Sequence, residues 1–469
     1  MATKDPETTH SEVFNQLIEQ FVRVDFMSIA NPLGIDNFKL NNKHYSVISI
    51  DEVLKVAEKN RWGLCKNHDF IYLYNGTYWS SVDKGTFQKF LGEGAARMSV
   101  PSITAKYHRF RKELYEQFIA SAYLPTPESN QDTVLINLKN GTFEISPQGT
   151  QLRRFNRADF LTYQLPFDYN PQAKAPLFEA YLNKVLPNKE SQKVLAEYLG
   201  FVFIKHGSKR LKEEKALILY GTGANGKSVF FEVVSALLGE ENTSNFSLQS
   251  LTNENGYFRA KIANKLVNYA SEINGKLESS LFKQLVSGEP VEARLPYGQP
   301  FELKQYAKLI FNCNELPKDV EHTNAYFRRF LIIPFDVTIP PNEQDKQLHS
   351  KIIDNELSGV FNWVLEGLQR LLKNKGFTEC KAVVEALERY KLESDSVKMF
   401  LDENSYKANS ESYQLIKVLY REYRDFCIDD GFKAVSKQNF KKRLIASGIL
   451  TERKNIGFVA YLVRESLLG

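Results

Sequence analysis

The sequence predicts an α/β fold in its central part, with a mainly helical region before it and a small helix-rich module after it. Four short apolar runs between residues 216 and 335 are separated by segments of helical periodicity: ALILY, KLVNYA, AKLIFN and FLIIPF. Such runs are typical of strands in a sheet that is covered on both faces. Helical spacing dominates residues 84–206, and residues 394–469 predict three helices followed by a strand–turn–strand unit.

Two hairpins are expected within the helical N-terminal part. Asn75-Gly76 and Asn140-Gly141 each lie between β-branched or aromatic runs, and Asn-Gly favours a tight hairpin turn. Residues 167–176 contain two prolines and predict a connector. We therefore predict five segments: a small α+β region (1–80), a mainly helical domain (81–205), the central α/β domain (206–345), a helical lid or linker (346–393) and a C-terminal module (394–469).

Composition sets limits on the class of protein. The 61 Lys and Arg residues exceed the 56 Asp and Glu residues by five, an excess that permits a polyanionic partner without arguing for one. The four cysteines form no CxxC pair, so neither a disulfide framework nor a zinc site is predicted, and Cys65 with His68 is better explained as a structural pair. The polar N-terminus and the absence of a long apolar run predict a reducing, cytoplasmic setting without a membrane partner.

The segment ALILYGTGANGKSVFFEVV contains the strongest motif of the chain. It fits G-x-x-x-x-G-K-S, preceded by an apolar strand and followed by an amphipathic helix, as a phosphate-binding loop requires. Glycines let backbone N–H groups turn towards phosphate oxygens, Lys227 suits the β and γ phosphates, and the Ser228 hydroxyl suits Mg²⁺. The predicted cofactors are ATP and Mg²⁺, and the predicted nucleotide contacts are Gly221, Thr222, Gly223, Ala224, Asn225, Gly226, Lys227, Ser228 and Val229.

Two further strands end in polar side chains. KLVNYA delivers Glu272 to a strand end, where we expect it to activate the attacking water and, with Ser228, to serve the metal ion. Many motors of this class have two adjacent acids at this point, whereas this chain has Ser271 in the first place. AKLIFN leads to Asn314, whose amide suits a γ-phosphate oxygen and the attacking water, although a simple turn-forming asparagine explains it equally well.

Arg328 and Arg329 precede the strand LIIPF. A guanidinium given across a subunit boundary stabilises charge on the transferring phosphoryl group. We favour Arg329 for this role and keep Arg328 as the second choice, while the other arginine of the pair binds a neighbouring carboxylate.

The order of these motifs resembles that of superfamily-three helicases. GTGANGKS, NYASEI, the stretch from LFKQLV to NCNELP, and AYFRRFLIIPF carry the resemblance, and within that superfamily the chain is similar to the phage, plasmid and poxvirus-type primase-helicases. The resemblance covers residues from about 84 to the end. It implies an AAA+-type P-loop motor domain, a C-terminal winged helix, a homo-hexameric ring with ATP sites between subunits, and 3′-to-5′ travel on single-stranded DNA.

The family resemblance also suggests how DNA is held. In helicases of this type a hairpin between the acid and the asparagine points into the ring channel, and here VEARLPYGQPFELK occupies that place. We expect Arg294, Lys304 and the upstream Lys283 to contact phosphates, and Tyr297 to stack on a base. A plain surface hairpin is the alternative.

The C-terminal module is locally basic. Residues 436–448 predict a helix that is capped by Ser436 and ended by Gly448. Its basic side chains suit a major groove, and Lys454 lies near the turn of an expected wing; a solvated basic helix face is the alternative. The predicted DNA contacts in this module are Lys437, Lys441, Lys442 and Lys454.

The leading hypothesis is an ATP-dependent replicative DNA helicase of a phage, plasmid or genomic island, acting on single-stranded and forked DNA. Relatives often carry a primase domain, but we find no paired-aspartate strand for one here, so we expect no primase activity in this chain and a possible primase or replication partner. The alternative is an ATP-switched origin-binding initiator or helicase loader. A P-loop enzyme for a small molecule is disfavoured, because it would give the Arg329 region and the basic module no role.

Overall fold

The computed structural model describes residues 9–67, 70–122, 131–271, 273, 278–296, 298–317 and 320–465. The chain forms two compact units, Met1–Tyr169 and Asn170–Gly469. Their boundary falls inside the predicted connector of residues 167–176. The predicted borders at residues 80 and 205 each lie within a unit, and the five-segment division stays a prediction.

The first unit combines helices with two three-stranded antiparallel sheets. Both expected hairpins form, although the first turn spans residues 75–78 and the second consists of Lys139 and Asn140. The side chain of Asn75 accepts from the backbone N–H groups of Thr77 and Tyr78 at 3.0 and 2.9 Å, which explains the longer first turn. The elements are α1 (His10–Glu19), α2 (Phe26–Ala30), α3 (Asn42–Lys59), β1 (Leu64–Asn67), β2 (Phe70–Tyr74), β3 (Trp79–Val82), α4 (Lys84–Arg97), α5 (Ser102–Lys106), α6 (His108–Ser121), β4 (Val134–Leu138), β5 (Gly141–Ser146) and β6 (Gly149–Arg153).

The second unit is built on a five-stranded sheet in which every pairing is parallel. All four predicted apolar runs are strands of this sheet, which confirms the α/β fold. Its strands are β7 (Ala216–Tyr220), β8 (Thr243–Ser244), β9 (Val267–Ala270), β12 (Lys308–Cys313) and β13 (Phe330–Pro334), in the order β13-β7-β12-β9-β8, and a separate hairpin consists of β10 (Val291–Arg294) and β11 (Pro300–Leu303).

Helices cover this sheet, and two of them approach each other closely. A Cβ at Gly200 would lie 2.6 Å from the Cβ of Leu368, so the small residue permits the contact. Residues 189–201, predicted to belong to the preceding domain, therefore pack with the sheet unit. The helices are α7 (Pro176–Val185), α8 (Lys189–Phe201), α9 (Lys227–Leu238), α10 (Leu248–Leu251), α11 (Tyr257–Lys261), α12 (Ser279–Ser287), α13 (Asn324–Phe327), α14 (Leu348–Asn374) and α15 (Lys381–Glu393).

The C-terminal module of the second unit has its own apolar core around Phe440 and Leu444. The three predicted helices and the final strand–turn–strand unit form, but two short strands that were not predicted lie between the first and second helices and a third follows the unit. Ser436 caps its helix by accepting from Asn439 N–H at 3.3 Å. The elements are α16 (Ser396–Glu403), β14 (Tyr406–Ala408), β15 (Gln414–Leu415), α17 (Ile416–Asp429), α18 (Lys437–Ala446), β16 (Thr451–Lys454), β17 (Gly457–Ala460) and β18 (Leu462–Arg464), with sheets β15-β17-β16 and β14-β18.

Candidate functional site

The predicted nucleotide residues follow strands that end at one edge of the parallel sheet. Tyr220 of β7 is paired with Cys313 of β12, and Ala270 of β9 is paired with Phe311 of the same strand. The loop of residues 221–226, Ser271 and Asn314 therefore lie along the carboxyl edge, where ligands bind in open α/β sheets. Glu272 lies outside the described residues.

Gly226 has no tolerable replacement in this geometry. Its φ of +86° is in the left-handed region, and a Cβ there would lie 2.7 Å from Val185 Cγ1. The hydroxyl of Tyr181 donates to the Gly226 carbonyl at 2.8 Å. Helix α7 thus supports the loop from below, a role that the sequence did not indicate for Tyr181.

The other side of the loop is tied to the chain that follows β13. The side chain of Asn225, only 3% exposed, donates to the Phe335 carbonyl at 3.1 Å and also to the Thr222 carbonyl. Ile339 N–H donates to the Ala224 carbonyl at 2.8 Å. Asn225, predicted as a nucleotide contact, therefore holds the shape of the loop through its side chain.

Lys227 and Asn314, which are far apart in the sequence, meet at this edge. The Lys227 ammonium donates to the Asn314 amide oxygen at 3.1 Å and to the Gly221 carbonyl. Burial removes water from the ammonium and lowers the pKa of Lys227 below its ordinary value. A poorly hydrated cation beside carbonyl dipoles is suited to an anionic phosphate.

The remaining loop residues present polar groups to solvent. Thr222, Gly223, Ala224 and Ser228 are exposed, while Val229 is half-buried. Ser228 lies in the first turn of the 12-residue helix α9, whose N-terminal N–H groups and dipole favour an anion. The hydroxyl of this exposed serine, next to Lys227 in the chain, could hold a Mg²⁺ ion together with phosphate oxygens and water. Among the described residues no cluster of three or more His, Cys, Asp or Glu side chains could hold a metal ion.

An open pocket borders the same edge on the face that α15 covers. It is lined by Tyr220 and Asp336 at the strand ends and by Arg389 and Glu393 of the helix. An aromatic ring and both signs of charge thus adjoin the phosphate loop.

Arg328 and Arg329 lie at the opposite edge of the sheet. Arg329 directly precedes β13. Its carbonyl accepts from Ala216 N–H at 2.8 Å, at the amino end of β7. The five residues of β7 span about 16 Å, so neither side chain lies near the phosphate loop of its own chain. Any contact with a bound phosphate would have to come from another subunit.

The two arginines differ in their surroundings. Arg329 is buried; it donates to Ser287 Oγ at 2.8 Å and to the Ala325 carbonyl, and it lies 3.2 Å from Glu214. The side chain of Arg328 is 56% exposed and lies 3.0 Å from the same carboxylate. Arg328 is therefore the more exposed of the two arginines and has fewer side-chain partners.

The residues expected to line a DNA channel are only partly brought together. Arg294 and Lys304 are exposed on the β10–β11 hairpin; Arg294 donates to the Gly298 carbonyl at 3.0 Å, and Lys304 lies 3.2 Å from Glu302. Lys283 instead forms an ion pair of 2.9 Å with Glu321. Tyr297 lies outside the described residues.

A buried arginine that the sequence did not single out anchors this hairpin. Arg259 is 2% exposed and donates to the Glu292 carbonyl at 2.6 Å and to the Leu251 carbonyl at 3.0 Å. It lies in the five-residue helix α11, which gives no periodic signal. Its guanidinium satisfies backbone carbonyls that would otherwise be buried without donors.

The C-terminal basic residues lie around α18 and the strand pair behind it. Lys437 and Lys442 are exposed on the helix. The Lys441 ammonium lies 3.6 Å from the centre of the Phe458 ring, and that of Lys454 lies 3.9 Å from the Tyr413 ring. The cations were predicted from the sequence, whereas the two aromatic rings beside them were not.

Within the described residues, the cysteines form no disulfide and belong to no metal-ligating cluster. All four are buried thiols, and burial raises the pKa of Cys65 to about 12. His68, the suggested neighbour of Cys65, lies outside the described residues. No helix in the described part of the chain is long and apolar enough to cross a bilayer.

Comparisons with known proteins match separate parts of this chain. Residues 52–187 match a family model described as "D5 N terminal like", and residues 219–329 match a family of unknown function, DUF5906. A protein of Acanthamoeba polyphaga mimivirus, "Putative helicase L207/L206", is 26% identical over 168 residues, which are 33% of this chain and 16% of the viral protein.

Two solved apo structures of the NrS-1 C-terminal region are also similar. They cover 88% and 87% of this chain and 98% of their own, at 12% and 14% identity and TM-scores of 0.49 and 0.47. Together, the D5 N-terminal match and the mimivirus match support the predicted similarity of this chain to viral primase-helicases.

Proposed function

We propose that this chain is an ATP-driven replicative DNA helicase of a mobile genetic element, with an AAA+-type motor and ATP sites between the subunits of a homo-hexamer. The observation that carries the proposal is the hydrogen bond between Lys227 and Asn314, which joins a phosphate-loop lysine to the tip of a neighbouring strand. The arginine pair at the opposite edge supports sites that two subunits share.

The loop residues divide the work of holding a triphosphate. Backbone N–H groups from Gly221 to Val229 surround the phosphates, and the Lys227 ammonium exchanges carbonyl partners for β- and γ-phosphate oxygens. Asn314 is then coupled to the γ-phosphate through Lys227, whose ammonium already donates to its amide oxygen. The Ser228 hydroxyl would hold Mg²⁺, which would supply charge neutralisation at the phosphates, and Glu272 would orient the attacking water.

Arg328 is our proposed finger in a neighbouring site, in place of the sequence-based preference for Arg329. Burial and three partners hold Arg329 inside its own subunit, so releasing its guanidinium would leave buried groups without donors. Arg328 gives up only one exposed ion pair, which is worth little. Arg329 then positions the start of β13.

DNA contacts are proposed on two parts of the chain. Arg294, Lys304 and Tyr297 of the hairpin would track a single strand through the ring, while Lys283 is held by Glu321 until that ion pair opens. The C-terminal module is proposed as a winged helix, with Lys437, Lys441 and Lys442 on the groove-facing helix and Lys454 in the wing. A primase or another replication protein remains a proposed partner.

ATP hydrolysis by the full chain, with and without single-stranded DNA, tests the proposal. We expect DNA to stimulate the rate, and Lys227→Ala to lower it about 100-fold or more, because a preorganised charge at the transferring phosphate is lost. Lys112→Ala, at a 63% exposed surface lysine of the first unit, is the matched control and should match the wild type. A rate that is indifferent to both DNA and Lys227 would contradict the proposal.

Mixing experiments separate the roles of the two arginines. Subunits with Lys227→Ala and subunits with Arg328→Ala should together regain ATPase activity, since a mixed ring contains some intact sites. Arg329→Ala should instead lower the free energy of unfolding by about 2–3 kcal/mol, because charged hydrogen bonds are lost. Failure to regain activity at any mixing ratio counts against a finger that acts between subunits.

The second candidate is an ATP-switched origin-binding initiator or helicase loader. The basic module at the C-terminus favours it, since that module resembles a duplex-binding element more than a channel element. Strand separation on a forked duplex distinguishes the two: ATP hydrolysis without unwinding supports the initiator.

A further inference from the structure

The C-terminal module exposes an unusual set of apolar side chains close to its basic residues. Between residues 445 and 458 the exposed fractions are 52% for Ile445, 70% for Leu450, 60% for Ile456 and 44% for Phe458. Phe458 and Ile456 lie on or next to β17, at the turn that follows β16. Apolar groups concentrated on one small module mark a contact surface.

Cations flank the Phe458 ring from two elements. Lys441, on α18, places its ammonium 3.6 Å from the ring centre, and the Arg453 guanidinium carbon lies 5.9 Å away. Arg453 is the direct partner of Phe458 in the β16–β17 pair, so both side chains lie on the same face of the sheet. The exposed ring is therefore bordered by two positive charges.

A second ring and cation lie on the other face of the same sheet. The ammonium of Lys454 is 3.9 Å from the ring centre of Tyr413, which is 43% exposed, and 5.2 Å from that of Tyr461. Glu452, the nearby acid, accepts from the Tyr461 hydroxyl at 2.7 Å. Each face thus offers an aromatic surface with a cation beside it.

We propose that Phe458, with Lys441 and Arg453, forms a stacking site for unpaired bases of single-stranded DNA, and that Tyr413 with Lys454 forms a second stacking site on the other face of the sheet. In a duplex, neighbouring pairs cover the faces of the bases, so only strand ends or single strands offer a face to an aromatic ring. Proteins that bind single strands combine aromatic platforms with cations for the backbone. The proposal extends the proposed function by assigning this module a single-stranded ligand besides a duplex groove.

The charges decide between nucleic acid and protein as the occupant. The cations that lie against the two rings are Lys441, Arg453 and Lys454, and the exposed Lys437 and Lys442 lie on the same helix as Lys441, whereas the acid Glu452 accepts from the Tyr461 hydroxyl. A surface of this sign repels a basic partner and attracts phosphates.

The test measures binding of the full chain, without ATP, to a fluorescent oligo-dT strand and to a duplex of the same length. Phe458→Leu keeps the buried half of the side chain and removes the ring, so we expect single-strand binding to weaken about tenfold and duplex binding to change little. Phe458→Trp should restore binding. Tyr107→Leu in the first unit is the control, because Tyr107 is also 44% exposed.

A second measurement reports stacking itself. A 2-aminopurine base in the strand should lose fluorescence when the wild type binds and keep it with Phe458→Leu. Lys441→Ala should reduce the slope of log affinity against log salt by about one, whichever base is present. Equal binding of wild type and Phe458→Leu to single strands, or equal losses for single strands and duplex, overturns the stacking site. The binding test contains no ATP, so its result does not depend on ATPase activity. A chain that binds single strands but hydrolyses no ATP would contradict the proposed function and still support the stacking site.

Discussion

At the scale of single residues, Lys308 is a buried lysine inside the sheet. It lies at the amino end of β12, with its ammonium 3.0 Å from His206 Nδ1 and 4.3 Å from the centre of the Phe201 ring. Among the described residues no carboxylate lies within ion-pair distance of it. Burial therefore lowers the pKa of Lys308 to about 7, and burial together with Lys308 lowers the pKa of His206 well below its ordinary value.

Replacing Lys308 with Met should stabilise the protein near neutral pH. The folded pKa of about 7 lies below the ordinary value of 10.5, so between these limits the unfolded state binds more protons and stability rises with pH. The variant should lose this slope and gain about 2–4 kcal/mol in the free energy of unfolding at pH 7. Denaturant unfolding from pH 7 to 10 measures both effects.

Lys304→Met is the matched control for Lys308→Met. Its side chain is 59% exposed and near the same strand, so its removal should leave the pH slope unchanged. If Lys308→Met unfolds with the same pH dependence as the wild type, then the lysine is not neutral in the folded state.

At the scale of elements, the junction between α15 and α16 links the motor to the C-terminal module. Asp395 caps α16 by accepting from Val397 N–H at 3.1 Å, and it forms an ion pair of 3.1 Å with Arg443 of α18. His322, in the segment that follows Asn314, contacts the Ser394 carbonyl at 2.6 Å. One buried acid thus orients the basic helix with respect to the sheet.

Removing this acid should loosen the module. We expect Asp395→Ala to lower the free energy of unfolding by about 2 kcal/mol, since a helix cap and a partly buried ion pair are lost together. Asp395→Asn keeps an acceptor for the cap and should lose less than half as much. Thermal unfolding followed by circular dichroism measures the difference. Equal losses for the two variants would show that the carboxylate charge, and not the cap, sets the effect.

At the scale of the whole molecule, the two compact units predict where the chain can be cut. A fragment of residues 170–469 should fold and keep ATPase activity, because it retains α7 below the phosphate loop and α8 against α14. A fragment of residues 206–469 should fail, because it loses Tyr181 and the buried face of α8. The two fragments can be compared by their soluble yield, the cooperativity of their unfolding and their ATPase rate. A stable, active shorter fragment would contradict this division.

Several features follow from the sequence alone, because they depend on residues that are close together in the chain. GTGANGKS after ALILY predicts the phosphate loop, since glycine conformations and a helix start are local properties. The positions of the four apolar strands and the cap at Ser436 follow for the same reason. The order of motifs also predicts the similarity to viral primase-helicases that the family and mimivirus matches support.

Only the tertiary structure decided which distant residues meet and which are buried. It joins Lys227 to Asn314 across the sheet, places Tyr181 beneath Gly226, and separates the buried Arg329 from the exposed Arg328. The periodicity of apolar residues assigns a residue to an element, but it does not show which of two adjacent arginines is buried. Their environments differ because packing of remote segments, here Glu214 and Ser287, determines solvent access and hydrogen-bond partners.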